Sequence, residues 1–256
     1  MSAPTDIART AVVTGANKGI GRAVVRRLAQ LGMRVYLGAR DEERGLAAER
    51  ELRAEGLDVR FLHLDVTDAA SVAQAAKRLA QETGGLDALV NNAGVGGSAL
   101  PPSQVPVDEV RRTYETNVFG VIAVTNALLP HLRRSPAARI VNVSSVLGSL
   151  THAAALDDPT GVFPPGVFPA LLEYNTSKAA LNAVTVTYAN ELRGTGILVN
   201  AVSPGFVATD INGHQGVLTP EEGARIPVLL ATLGADGPTG TFVGEDATPT
   251  GQRLSW

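Results

Sequence analysis

Cysteine is absent from the 256-residue chain. That excludes a disulfide framework and a zinc site built on thiolates. Histidine is scarce, with four residues scattered at 63, 131, 152 and 214. A His-rich metal centre is therefore not expected, and no metal is assigned. No apolar run approaches the ~20 residues that cross a bilayer. The opening MSAPTDIART is polar and lacks the apolar stretch of a secretory signal. A soluble, cytoplasmic chain without a membrane partner is the expectation. An excess of either charge is also missing. Lys plus Arg number 22 against 25 Asp plus Glu, a net charge of −3. Nucleic-acid-binding domains usually carry a marked basic excess, so no nucleic-acid partner is expected.

What remains is globular in composition, with 45% hydrophobic and 18% charged residues. The length suits one large α/β domain, and no linker or internal repeat divides it. Short apolar runs at 10–13, 33–39, 59–64, 86–90, 139–143, 197–202 and 241–243 read as strands. Between them lie helical patterns at 20–31, 42–55, 69–82, 108–132, 171–193 and 220–233. Gly32 and Gly56 are placed to end the first two helices, and Asp68 to cap the third. Several strands are apolar on both faces, as in a parallel sheet covered by helices on both sides. The expected architecture is a single-domain, doubly wound Rossmann fold over residues 1–256, with about seven parallel strands. One segment, 146–170, interrupts the alternation. It carries Pro159, Pro164, Pro165 and Pro169 with Phe163 and Phe168, and is expected to be a long insertion without regular structure.

The first strand runs into Thr14-Gly15-Ala16-Asn17-Lys18-Gly19-Ile20-Gly21. Glycines after a strand and before a helix let the backbone turn tightly and approach a phosphate. The helix then aims its free N–H groups at that anion. At the end of the second strand, where an acidic residue would favour NAD, stands Arg40, with Arg44 one turn on. With Lys18, three cations converge where a 2′-phosphate would sit, which argues for NADP(H).

Tyr174 and Lys178 are four apart at the start of a helix and share a face. An ammonium beside a phenol stabilises the phenolate, so such a pair can move a proton to or from an alkoxide. Alone, this spacing usually marks a surface tyrosine beside a snorkelling lysine. Here the glycine turn, Arg40, Asp65, Asn92 and Ser145 all map to the carboxyl edge of the expected sheet. Open parallel sheets bind their ligands at that edge.

With those residues in view, the chain resembles the ~250-residue branch of the short-chain dehydrogenase/reductase family. The matching motifs are TGANKGIG (14–21), Asp65-Val66, NNAG (91–94), Asn117, VNVSS (141–145), YNTSK (174–178) and SPGFVAT (203–209). Within the family the glycine turn and ARDEERG (39–45) are most similar to NADPH-dependent carbonyl reductases. The resemblance implies hydride reduction of a ketone or aldehyde to the alcohol. It implies that Tyr174 is the proton donor and that Lys178 lowers its pKa and holds the nicotinamide ribose. Ser145 would bond the substrate carbonyl, and Asn117 would anchor a water linking Lys178 to solvent. It further implies that Asp65 and Val66 flank the adenine. Gly15, Asn17, Lys18, Gly19, Ile20, Gly21, Asn92 and Gly94 would line the cofactor groove, and Pro204, Val207 and Thr209 the nicotinamide end. Ser145 and Tyr174 are 29 positions apart, well beyond the spacing typical of the family. The excess is the proline-rich segment, and Phe163 and Phe168 are expected to shape the pocket. Monomer and homo-oligomer both stay open. Two other readings are weaker. A nucleotide-sensing regulator would typically lack the Tyr/Lys pair, and a nucleotide-sugar epimerase would need a longer C-terminal region.

Overall fold

The apolar runs become strands buried on both faces. A computed structural model describes residues 9–159, 161–246 and 248–256; residues 1–8 lie outside them. β1 (Thr10–Val13), β4 (Ala88–Asn91) and β5 (Arg139–Val143) are buried at every position. With β2 (Arg34–Ala39), β3 (Val59–His63), β6 (Leu198–Ser203), β7 (Phe242–Gly244) and β8 (Gln252–Arg253) they form one sheet. The order is β3-β2-β1-β4-β5-β6-β7-β8. All neighbours are parallel except β7 and β8, where Val243 faces Arg253 in antiparallel register. Among the described residues the sheet thus has eight strands rather than about seven. The eighth spans two residues, too few to carry a periodicity.

Alternation along β1 feeds both faces of the sheet. Ala11 and Val13 pack with Val24 and Leu28 of α1 (Gly19–Gln30), Leu52 of α2 (Glu42–Ala54), and Ile226 and Leu230 of the late helical segment. Val12 points the other way, among Leu79 of α3 (Ala69–Glu82), Leu128 and Tyr188. The anticipated cap at Asp68 is present, and Asp41 caps α2 as well. Asp41 accepts from the Arg44 amide at 3.0 Å and Asp68 from the Ala70 amide at 2.9 Å. Gly32 and Gly56, at φ +84° and +81°, close α1 and α2.

Three stretches depart from the sequence pattern. The helix expected over 108–132 is α4 (Val107–Tyr114) and α5 (Gly120–Leu132), joined by a π-helical turn over Glu115–Phe119. The helix expected over 220–233 is α8 (Pro220–Gly223) and α9 (Arg225–Ala231). Pro227 has no N–H to offer the carbonyl four residues back, so the ladder cannot run through. The insertion is not wholly irregular. It opens with a 3₁₀ turn, Val146–Gly148, and α6 (Leu150–Ala155), capped by Ser149. The amide and hydroxyl of Thr151 donate to the Trp256 carbonyl at 3.1 and 2.7 Å. The Trp256 ring stacks on Phe242 with centroids 5.5 Å apart. The long helix α7 (Leu172–Glu191) follows.

Strand order reverses between β1 and β4. The loops leaving their carboxyl ends diverge there, which opens the crevice described next.

Candidate active site

The first cavity, about 500 Å³, sits over that crevice. Its floor is the glycine turn. Thr14 Oγ1 accepts the amides of Asn92 and Ala93 at 3.0 and 2.9 Å. Asn92 Nδ2 returns bonds to the carbonyls of Thr14 and Gly15 at 2.9 and 3.1 Å. The loops after β1 and β4 are thereby stitched together so closely that no Cβ fits between them. A Cβ on Gly15 would stand 2.8 Å from Ala93 Cα, and one on Gly21 2.4 Å from Asn92 Nδ2. At the start of α1 no side chain caps the helix and no acidic residue sits in the first turn. Its N–H groups and positive dipole end therefore face the cavity.

Gly15, Asn17, Lys18, Gly19, Ile20, Gly21, Arg40, Asp65, Val66, Asn92, Gly94 and Thr209 all line this cavity. Burial works to raise the Asp65 carboxyl. The Thr67 amide and hydroxyl, bonded at 2.9 and 2.7 Å, and the Arg40 charge outweigh it and hold the group below the usual carboxylate range. Arg44 is not among the lining residues; its guanidinium lies 3.3 Å from Asp41. Of the three expected cations, Lys18 and Arg40 border the cavity. Lys18 is itself paired with Asp210. An uncapped helix end, two cations and an acceptor at Asp65 fit the phosphates and adenine of a dinucleotide.

The second cavity, about 450 Å³, shares Ile20, Asn92, Gly94, Thr209 and Ile211 with the first. Ser145, Tyr174, Lys178, Pro204 and Val207 line it. Burial raises the Tyr174 phenol, with the Ser145 hydroxyl as a hydrogen-bond partner working against the rise. Lys178 Nζ donates to the Val143 carbonyl at 2.8 Å and lies 5.6 Å from the Tyr174 ring centroid. Its side chain is buried, and desolvation brings its pKa down to about 8. Asn117, fully buried in the π-helical turn, accepts from the Val95 amide at 2.9 Å. It donates to the Val95 carbonyl and to Ser177 Oγ, each at 3.0 Å. It thereby ties the loop after β4 to α7. A Cβ on Gly94 would lie 3.4 Å from Asn117 Oδ1 and 3.6 Å from Lys178 Nζ, so both groups press on one point of that loop.

The insertion contributes Val146, Leu147, Val162, Phe163 and Pro169 to the second cavity, with Phe163 and Phe206 centroids 6.3 Å apart. Phe168 is not among the lining residues. Two groups carried no signal in the sequence. The buried Glu173 carboxylate accepts from the Ser98 amide and pins the cavity's loop to the start of α7. Asp210 reaches Lys18 across 192 positions of chain.

The family model for short chain dehydrogenases matches residues 9–156 and 166–216, and so breaks inside the insertion. Carbonyl reductase (NADPH) 1 of Macaca fascicularis is 37% identical over 270 residues, covering 93% of this chain and 96% of that protein. The solved structure of NADPH-bound carbonyl reductase from chicken fatty liver superposes with a TM-score of 0.82 at 28% identity, covering 98% of this chain and all of that one. Salutaridine reductase from Papaver somniferum gives a TM-score of 0.78 at 32% identity, covering 91% and 99% of the two chains.

Proposed function

The chain belongs to the short-chain dehydrogenase/reductase family, and from that premise we propose that it is an NADPH-dependent carbonyl reductase that converts a ketone or aldehyde to the alcohol. One observation carries the reading. Ser145, Tyr174 and Lys178 line a cavity that shares a wall with the groove built for a dinucleotide.

When bound, NADPH supplies the hydride. The chain's own residues do the rest. Lys18 and Arg40 bind the 2′-phosphate, the start of α1 takes the pyrophosphate, and Asp65 and Val66 flank the adenine. Ser145 donates to the substrate carbonyl oxygen and holds it beside Tyr174. Tyr174 gives its hydroxyl proton to that oxygen as negative charge develops there. Lys178, fixed by the Val143 carbonyl, stabilises the phenolate that remains. Asn117 keeps the loop after β4 and α7 in register, so that Gly94 and Lys178 face the same space.

The substrate class follows from the wall. Lys178 is the one charged side chain among the described residues lining the second cavity. Val146, Leu147, Val162, Phe163, Leu171 and Phe206 make the rest largely apolar. An uncharged, apolar ketone or aldehyde fits, and an anionic one would find no cation beyond Lys178. The test is a panel of apolar ketones, quinones and aldehydes with NADPH oxidation followed by absorbance. At least one should turn over in the wild type, and Tyr174→Phe should lose nearly all of that rate while still binding NADPH. Turnover unchanged in Tyr174→Phe would refute the assigned proton donor.

A further inference from the structure

Lys18 is not free in the protein. Its ammonium is bonded to one carboxylate oxygen of Asp210, which comes from the loop after β6. The other oxygen takes His214 Nε2 at 2.7 Å. Asp210, Lys18 and His214 all line the dinucleotide cavity.

The loop is built to hold Asp210 there. Asn212 Nδ2 donates to the Val207 carbonyl at 2.9 Å, and its Oδ1 accepts from the Thr209 amide at 3.2 Å. The His214 amide donates to the Thr209 carbonyl at 2.9 Å. Gly213 and His214 are both left-handed, at φ +60° and +61°. Residues other than glycine seldom adopt that region, though histidine does so more readily than most, and the turn is held in this shape by its own hydrogen bonds. The same turn supplies Thr209 and Ile211 to the wall between the two cavities.

We propose that Asp210 sets the strength of 2′-phosphate binding by competing with that phosphate for Lys18. The inference rests on the reading that the cavity takes NADPH. The carboxylate stands where the phosphate's partner is needed, so a bound 2′-phosphate must take Lys18 from it. An ion pair half exposed on both sides is weak. A phosphate carries more charge and more acceptors than a carboxylate, so it wins the exchange. The release of Asp210 reduces the net gain. Asp210 is therefore a specificity-determining residue that lowers the preference for a 2′-phosphate below what Lys18 and Arg40 alone would give.

The experiment titrates 2′,5′-ADP and 5′-ADP into four proteins by calorimetry: wild type, Asp210→Asn, Lys18→Met and the double variant. Asp210 is half exposed, and matching melting temperatures check that the fold is kept. Wild type should bind 2′,5′-ADP more tightly than 5′-ADP. Asp210→Asn should tighten 2′,5′-ADP about 1.5- to fivefold, the range of one exposed ion pair, and leave 5′-ADP unchanged. On the Lys18→Met background Asp210→Asn should do nothing. An unchanged 2′,5′-ADP affinity in Asp210→Asn overturns the proposal. So does an equal gain on the Lys18→Met background, which would mean bare charge repulsion without exchange. If wild type itself does not distinguish the two nucleotides, the NADPH reading has failed, and this inference fails with it.

Discussion

Two buried cations stand at opposite ends of β5, and their surroundings could hardly differ more. Arg139 opens the strand. It is 1% exposed, and its guanidinium spreads over four carbonyls. Nε reaches Leu233 at 2.9 Å, Nη1 reaches Ala138 and Gly196 at 2.8 and 3.1 Å, and Nη2 reaches Gly234 at 2.9 Å. Lys178 comes from α7 to the far end. It is 5% exposed and bonds one carbonyl, that of Val143. Both pay the desolvation of a buried charge, and burial lowers both pKa values. The guanidinium answers it with a fork of satisfied donors and ties together the segments around 196, 233 and 234. The ammonium keeps donors to spare and faces a cavity. A buried cation with four of its five donors used is an anchor. One with most of its donors left over is available for chemistry.

The comparison can be broken most sharply through turnover. Lys178→Met should lower kcat about a hundred- to ten-thousand-fold, the usual range for a lost acid–base contribution, with a melting temperature at neutral pH no lower than that of wild type. Steady-state rates beside calorimetric scans check both halves. Arg139→Met should do the reverse. It takes the donor from the Leu233 and Gly196 carbonyls, while those of Ala138 and Gly234 keep the Leu198 and Gly237 amides; the change should cost about 3–5 kcal/mol of stability, read by urea unfolding, while the rate per folded molecule stays within a few-fold of wild type. Arg139→Lys keeps the charge but not the fork, so it should recover part of that loss and leave about 1–3 kcal/mol missing.

The smallest effect is in pH. Folded Lys178 gives up its proton at about 8, and the unfolded chain holds it to the ordinary 10.5. Between those values the unfolded state carries the extra proton, so stability should rise with pH, by at most ~1.4 kcal/mol per unit. Below about 8 that advantage is lost, because the folded chain must bury the charge. Unfolding curves of wild type against Lys178→Met over this window isolate the contribution. A stability difference independent of pH would place the folded lysine at its ordinary value.

Some of the site was legible because its parts are local. A glycine turn between strand and helix, a Tyr and Lys one helical turn apart, and an Asp capping α3 each need only neighbours in sequence. The strand core read well for the same reason, since two-sided burial leaves an uninterrupted apolar run. Legibility stopped where partners are distant. The role of Arg139 was invisible, since it begins an apolar strand and its acceptors lie around residues 196 and 234. One pairing was local and still not read: Arg44 lies 3.3 Å from Asp41, three positions back. Phe163 and Phe168 look equivalent in the insertion, yet only Phe163 meets the cavity wall.

By itself the sequence determined the alternation of strands and helices, the parallel sheet and the residue types assembled at its carboxyl edge. Periodicity and turn chemistry act over a few residues, and a chain writes them openly. Tertiary structure alone decided which of those residues share a space. It set Asn117 in a π-helical turn between Val95 and Ser177, sank Lys178 deep enough to move its pKa, and put Asp210 on the lysine that the glycine turn holds out. Those outcomes depend on where loops meet after the sheet closes, and no local pattern encodes a meeting of groups nearly two hundred residues apart.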